Sequence, residues 1–208
     1  MPTKKILLVE GKDDENVMMH LASNRGGPHF DEIKSLEGCT NILKSIHVHL
    51  IAGGENIIGI VIDADMDIAA RWRSLRDQLL KTGYQTVPDN PSPDGTIIDP
   101  PGGAFLPRVG VWIMPDNQTG GILEDFLKFL VPTGSRLFDH VTSSITAIPE
   151  GERRFTQLAE PKAIIHTWLA WQKEPGKPLG TAITMRFLDA NVAQVDVLIS
   201  WMNRLFFP

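Results

Sequence analysis

The stretch that most constrains the fold is residues 56–67, NIIGIVIDADMD, where an apolar run ends in aspartates at three alternate positions. A β-branched, apolar run of this length predicts a buried strand of a parallel sheet, and such sheets bind ligands at the carboxyl ends of their strands. Asp63 and Asp65 lie at this end. Because side chains two residues apart on an extended chain point the same way, the pair suits a shared divalent cation.

A second acidic strand end lies near the start of the chain, in residues 6–14, ILLVEGKDD. The apolar residues 5–9 predict a short strand, and Gly11 allows a tight turn after it. Residues 13–15 are all acidic and predict the first turn of a helix, because a helix N-terminus favours negative charge. The pattern therefore predicts a strand-loop-helix unit with Glu10 at its tip.

The remaining chain continues to alternate strands with helices. Strands are predicted near 5–9, 31–36, 57–62 and 109–114, which indicates an α/β fold with a largely parallel, Rossmann-like sheet flanked by helices. Residues 88–103 are rich in Pro and Gly and predict a long loop or a small hairpin around 96–98. Residues 1–132 form this core, and 133–208 are predicted to be a mostly helical extension packed on it, with helices at 136–145, 161–171, 181–188 and 192–206.

Composition narrows the class of protein. The chain has 208 residues, 42% of them hydrophobic, and a formal net charge of −5, which disfavours a generally basic nucleic-acid coat but allows a local basic face. Its single cysteine, Cys39, excludes an internal disulfide framework and a multi-cysteine zinc site. The first residues lack the apolar core of a signal peptide, and no apolar run reaches ~20 residues, so we expect a cytoplasmic protein with no membrane span.

Together the two acidic strand ends, VEGKDD and IDADMD, resemble the TOPRIM domain of topoisomerases, primases, small recombination proteins and overcoming-lysogenization-defect nucleases. That family has a Glu-Gly after its first strand and an Asp-x-Asp at a later strand end, here Glu10, Gly11, Asp63 and Asp65. Gly38 occupies the place of another family glycine. The resemblance covers residues up to about 130, and the segment KAIIHTWLAWQKEPGKPLG looks like uncharacterised stand-alone bacterial TOPRIM-related proteins, similar to the nuclease branch.

The resemblance implies Mg²⁺- or Mn²⁺-dependent chemistry on the phosphodiesters of DNA or RNA. Asp63 and Asp65 would hold metal, with Glu10 as a further ligand or as general acid and base. Hard divalent cations prefer carboxylate oxygens and can activate water, so the acids suit this chemistry. Glu124, in GILEDF, is the expected third metal-site acid.

Some assignments around this site have alternatives. Asp116 and Asp125 are further choices for the third acid, and Lys12 and Arg71 are expected to contact phosphate. Arginines placed like Arg71, Arg73 and Arg76 usually form a solvated helix face, and their position just after the acidic loop favours phosphate contact. His166 lies among apolar residues and is interpreted as a packing histidine.

Other readings of the acidic motifs remain. Residues 10–14 could be only a helix N-terminus that favours negative charge. Residues 5–14 also resemble the start of response-regulator receivers, although Gly11 and Lys12 interrupt the acid pair of that class. Finally, the domain could be a non-catalytic module that binds nucleic acid, nucleotide or a protein partner, and it could form a homo-oligomer.

Overall fold

The computed structural model describes residues 3–208 and centres on one five-stranded sheet. Its strands are β1 (Lys5–Val9), β2 (Glu32–Ser35), β3 (Ile57–Asp63), β4 (Thr96–Ile98) and β5 (Arg108–Met114). They lie in the order β2-β1-β3-β5-β4, with β4 antiparallel to β5 and all other pairs parallel. The predicted α/β class with a largely parallel sheet is confirmed.

Helices flank the sheet on both faces. They are α1 (Lys12–Asn24), α2 (Cys39–Gly53), α3 (Ile68–Thr82), α4 (Leu123–Phe129), α5 (Arg136–Thr146), α6 (Glu160–Ala170), α7 (Leu179–Thr184) and α8 (Ala193–Phe206). The predicted helix over 181–188 is wrong at its end: α7 stops at Thr184, and Arg186 takes a left-handed backbone (φ 60°) that a helix cannot continue. None of the helices in the described part of the chain is long and apolar enough to cross a membrane.

Strand β3 is buried on both faces and divides the core in two. Ile58, Ile60 and Ile62 pack with α2 and α3, whereas Ile57 and Val61 pack with the helices of the opposite face. This alternation follows from the two-residue period of a strand. It explains why the sequence of β3 is continuously apolar, as is typical of a central parallel strand.

The C-terminal helices cover the sheet face that α1 also covers, and they share one hydrophobic core with it. Helix α8 approaches closely where Gly59 of β3 pairs with Gly110 of β5. A Cβ added to Gly110 would lie 2.4 Å from Leu205 Cδ2. Residues 133–208 therefore supply much of the cover of this face, and the glycine pair makes room for it.

The Pro- and Gly-rich segment contributes the edge strand β4. The Trp201 indole N–H of α8 donates to the Thr96 carbonyl at 3.3 Å. Gly95, with φ 87°, lies against the same indole, and a Cβ there would be 2.2 Å from Trp201 Cδ1. The segment is thus attached to the C-terminal helix at its strand.

Candidate functional site

Three carboxylates from different parts of the chain lie together at the carboxyl ends of the parallel strands. Glu10 follows β1, Asp63 ends β3, and Glu124 lies in the first turn of α4, after β5. The Asp63 backbone N–H donates to Glu10 Oε1 at 2.9 Å. Because β1, β3 and β5 are neighbours and parallel, residues distant in sequence converge where ligands of such sheets bind.

A short backbone bridge links the end of β3 to the loop before α4. Asp65 N–H donates to the Gly121 carbonyl at 3.0 Å, and Gly121 N–H donates to the Asp65 carbonyl at 2.7 Å. Asp65 has a left-handed backbone with φ 54°. At Gly121 a side chain would clash, since a Cβ there lies 2.8 Å from Asp125 Oδ2. The bridge fixes the start of α4, and with it Glu124, beside the aspartates.

Asp14 is a fourth acid of the site and was not among the predicted site residues. It is only 7% exposed, and its Oδ2 accepts the Gly11 N–H at 3.0 Å. Its other oxygen, Oδ1, is buried and has no hydrogen-bond partner within residues 3–208, and the same is true of Asp63 Oδ1. Residues 13–15 are all acidic, so composition could not show which one faces inward. The available signal was its spacing of three residues from Gly11, a helix-capping distance.

Burial and neighbouring acids raise the pKa values of Asp63, Asp14 and Glu10. Burial, and then the nearby charges of Asp14, Glu10, Glu124 and Asp65, raise the pKa of Asp63 to about 9. Burial and then Glu10 raise the pKa of Asp14 to about 7. Burial also raises the pKa of Glu10, against the lowering effect of the Asp63 N–H and of Arg71. At neutral pH the cluster therefore favours bound protons or a bound cation.

Arg71 of α3 reaches into this acidic cluster. Its Nε donates to the Asp63 carbonyl at 2.8 Å, and its guanidinium also contacts the Asp65 carboxylate and the Cys39 sulfur. The Arg71 side chain is 16% exposed, so its contacts in the protein are mainly internal. Its predicted contact with phosphate stays a prediction. Burial and then Glu10 raise the pKa of Cys39 to about 12, which keeps this thiol protonated.

Helix α6 brings two basic side chains to Glu124. Lys162 Nζ lies 3.4 Å and His166 Nε2 3.9 Å from Glu124 Oε1. The His166 side chain is 50% exposed, so its interpretation as a packing histidine is wrong. Its neighbours Ile165 and Trp168 face the core, while Lys162 and His166, one helical turn apart, share the opposite face. The sequence showed no motif that would connect this helix with the strand ends.

The other predicted residues have partners of their own outside the cluster. Lys12 is 72% exposed and pairs with Glu15 at 2.7 Å. Asp116 accepts backbone N–H groups of its own loop, and Asp125 caps α4 through the Ile122 N–H at 3.0 Å. Both alternatives to Glu124 thus have local structural roles, whereas Glu124 is buried and faces the cluster.

Two adjoining clefts open beside the acids. One, of about 250 Å³, is lined by Asp65, Gly121 and Pro161, and the other, of about 340 Å³, by Asp65, Arg71 and Ser74, among others. Met66, which is 70% exposed, and Leu158 line both clefts. A ligand bound over the acids would therefore also contact the C-terminal region.

The carboxylate oxygens of this site are the ligand type that a hard divalent cation prefers, but their arrangement in the structure is not that of a metal site. Within residues 3–208 no group of three or more His, Cys, Asp or Glu side chains stands in an arrangement that could hold a metal ion. Two of the acids have partners inside the protein: Arg71 contacts Asp65, and the Gly11 N–H donates to Asp14. In favour of a fit, Asp14 Oδ1 and Asp63 Oδ1 are buried carboxylate oxygens without partners.

The fold and this site define an α/β protein with a buried carboxylate cluster at the ends of parallel strands. The chain belongs to the family described as protein of unknown function (DUF3226), whose model matches residues 4–207. The match spans the sheet and the C-terminal helices alike. Comparisons with curated proteins and with solved structures found no match.

Proposed function

We propose that this protein is a Mg²⁺- or Mn²⁺-dependent, nuclease-like enzyme of the TOPRIM type that acts on phosphodiester bonds of DNA or RNA. The observation that carries the proposal is the meeting of Glu10, Asp14, Asp63 and Glu124 at the ends of parallel strands, with two buried oxygens that lack partners. Such a cluster is costly to maintain without a compensating charge, so it supports a role for bound cations.

In this proposal most of the acids are metal ligands. Asp63, Asp65 and Glu124 would hold the metal, and Glu10 would be a further ligand or a proton acceptor and donor. Asp14 adds a carboxylate oxygen to the set while its second oxygen fixes the turn at Gly11. When bound, the cation would polarise the phosphoryl group and lower the pKa of a water molecule.

Basic side chains around the acids would position the phosphate chain. Lys162 and His166 stand at the Glu124 side of the cluster, and both are half exposed and free to contact a ligand. Lys12 lies at the β1 side of the cluster, at the start of α1. Contacts of this kind fix the register of a nucleic acid and neutralise its charge, which an acidic site would otherwise repel.

The decisive experiment is a Mn²⁺-supported cleavage assay on single- and double-stranded DNA and RNA. We expect turnover by the natural chain and a loss of ~10²-fold or more in Glu10→Gln, because the variant loses an essential ligand or proton carrier. The matched control is Glu55→Gln, which changes an exposed acid just before β3, at the opposite end of this strand from Asp63. Equal rates in the natural chain and Glu10→Gln would contradict the proposal.

Metal binding is tested separately from turnover. Millimolar Mn²⁺ should raise the melting temperature of the natural chain, because binding to the folded state alone stabilises it. Asp63→Asn combined with Asp65→Asn should remove most of this increment. An unchanged increment in the double variant would place the ion elsewhere.

A second function, a non-catalytic module that binds nucleic acid, nucleotide or a protein partner, is favoured by one specific contact. The Arg71 guanidinium occupies the Asp65 carboxylate and supplies from within the fold part of the charge that a metal would supply. Intact nucleic-acid and metal binding with no turnover on any polymer would favour this module over the enzyme.

We also propose a cytoplasmic location. It is supported by the single cysteine, which is free and buried beside Arg71. Detection of the protein in an exported fraction of cells would contradict this location.

A further inference from the structure

We propose that two copies of this chain associate through the free edge of strand β2, antiparallel about a two-fold axis at Ile33, to form one continuous sheet. Within residues 3–208, β2 pairs only with β1. A sheet edge presents unpaired backbone groups that another strand can bind. The opposite edge is less available, because β4 has three residues and the Thr96 carbonyl already accepts the Trp201 indole N–H.

The backbone register identifies which groups are free. Val9 pairs with Ser35, and the Leu36 N–H donates to the Val9 carbonyl at 3.0 Å. In a parallel ladder alternate residues face the partner strand, so Lys34 faces β1 whereas Ile33 and Ser35 present their N–H and C=O groups outward. Two copies of Ile33 can therefore exchange two backbone hydrogen bonds across a two-fold axis.

The side chains agree with this axis. With Ile33 opposite Ile33 of the second copy, Glu32 stands opposite Lys34 and Lys34 opposite Glu32. Residues opposite each other in an antiparallel pair lie on the same face, and the pairs next to a hydrogen-bonded pair bring their side chains closest. Both side chains are exposed in one copy, so the charges are available. Opposite charges in these pairs are favourable, and most unrelated strands would not match both.

The other face of the edge adds apolar surface. Ile33 lies on the α1 side of the sheet, where it lines a cleft of about 510 Å³ together with Met19 and Phe30. Met19 is 44% exposed. Because Ile33 lies on the axis, two copies of this cleft would adjoin and shield each other from water. The acid clusters would lie at opposite ends of the joined sheet, so neither copy completes the site of the other.

The test is a charge exchange, followed by light scattering during size-exclusion chromatography across a concentration series at pH 8. Burial and Lys34 lower the pKa of His49, which lies beside this pair, so His49 is uncharged at pH 8. We expect a dimer for the natural chain at micromolar concentration. Lys34→Glu and Glu32→Lys should each weaken the dimer at least about tenfold, because each turns two attractions into repulsions. The double exchange should restore it.

Three results would overturn the inference: a natural chain that stays monomeric throughout the series, single exchanges that leave the dimer unchanged, or a double exchange that fails to restore it. Thermal melting of each variant shows whether the fold is intact. Hydrogen exchange provides an independent measurement, because the Ile33 and Lys34 amides differ. The Ile33 amide should become more protected as concentration rises, whereas Lys34, which faces β1, should not change. Concentration-independent exchange at Ile33 would contradict the interface.

Discussion

Replacing Asp63 with asparagine should stabilise the metal-free protein at alkaline pH while it removes a ligand of the proposed metal. Burial and the surrounding acids raise the pKa of Asp63 from 3.8 to about 9 and that of Asp14 to about 7. At pH values between 3.8 and these raised pKa values, the folded chain holds protons that the unfolded chain has lost. The free energy of unfolding must therefore fall as pH rises through this range.

The size of the effect follows from the same shifts. Each pKa unit corresponds to about 1.4 kcal/mol, so the three units from pH 5 to pH 8 would cost at most ~4 kcal/mol at Asp63 alone. Since the charge of Asp14 contributes to the raised pKa of Asp63, the costs at the two residues are coupled and do not add. We expect the advantage of Asp63→Asn over the natural chain to grow by about 2–4 kcal/mol over this range, or roughly 4–16 °C in melting temperature.

The assay is urea unfolding in the presence of a chelator at pH 5 and pH 8. The matched control is Asp13→Asn, which changes an exposed acid next to Asp14 and should not alter the pH dependence. Added Mn²⁺ should then stabilise the natural chain far more than Asp63→Asn. Two results would contradict the raised pKa of Asp63: a natural chain that gains stability from pH 5 to pH 8, or an Asp63→Asn variant whose advantage does not grow with pH.

Two further predictions concern the contacts around the cluster and the core. Arg71→Gln should free the Asp65 carboxylate, lower the stability of the metal-free protein and tighten Mn²⁺ binding in calorimetric titration; weaker binding would mean that Arg71 helps to form the site. Gly110→Ala should cost about 1–3 kcal/mol in urea unfolding, because its Cβ would lie 2.4 Å from Leu205 Cδ2. Gly102→Ala, where a Cβ meets nothing within 4 Å, is the control and should be nearly neutral; equal stability of the two variants would show that α8 can shift.

The sequence determined much of the sheet because strand signals are local. The apolar run of β3 and the acids at its end could be read directly, since strand period and burial are properties of neighbouring residues. The observed β3, Ile57–Asp63, extends the predicted strand by one residue. The edge strand β4 was harder to assign, since three residues carry little periodicity and depend on pairing with β5.

Tertiary structure decided which residues form the acidic cluster. Glu10, Asp63 and Asp65 lie at or just after the ends of β1 and β3, so a motif could select them. Only the fold shows that Asp14 faces inward and that Arg71 contacts Asp65. Which of several adjacent acids is buried depends on how a helix sits on the sheet. That information is absent from the local pattern.

The approach of α6 to the cluster was likewise beyond the sequence. Lys162 and His166 reach Glu124 across a long separation in the chain, because the C-terminal helices complete the core on one sheet face. His166 has apolar neighbours in sequence, yet the helical period places it on the exposed side. Sequence thus specified strands and the acids at their ends, whereas packing of distant helices selected the charges that surround those acids.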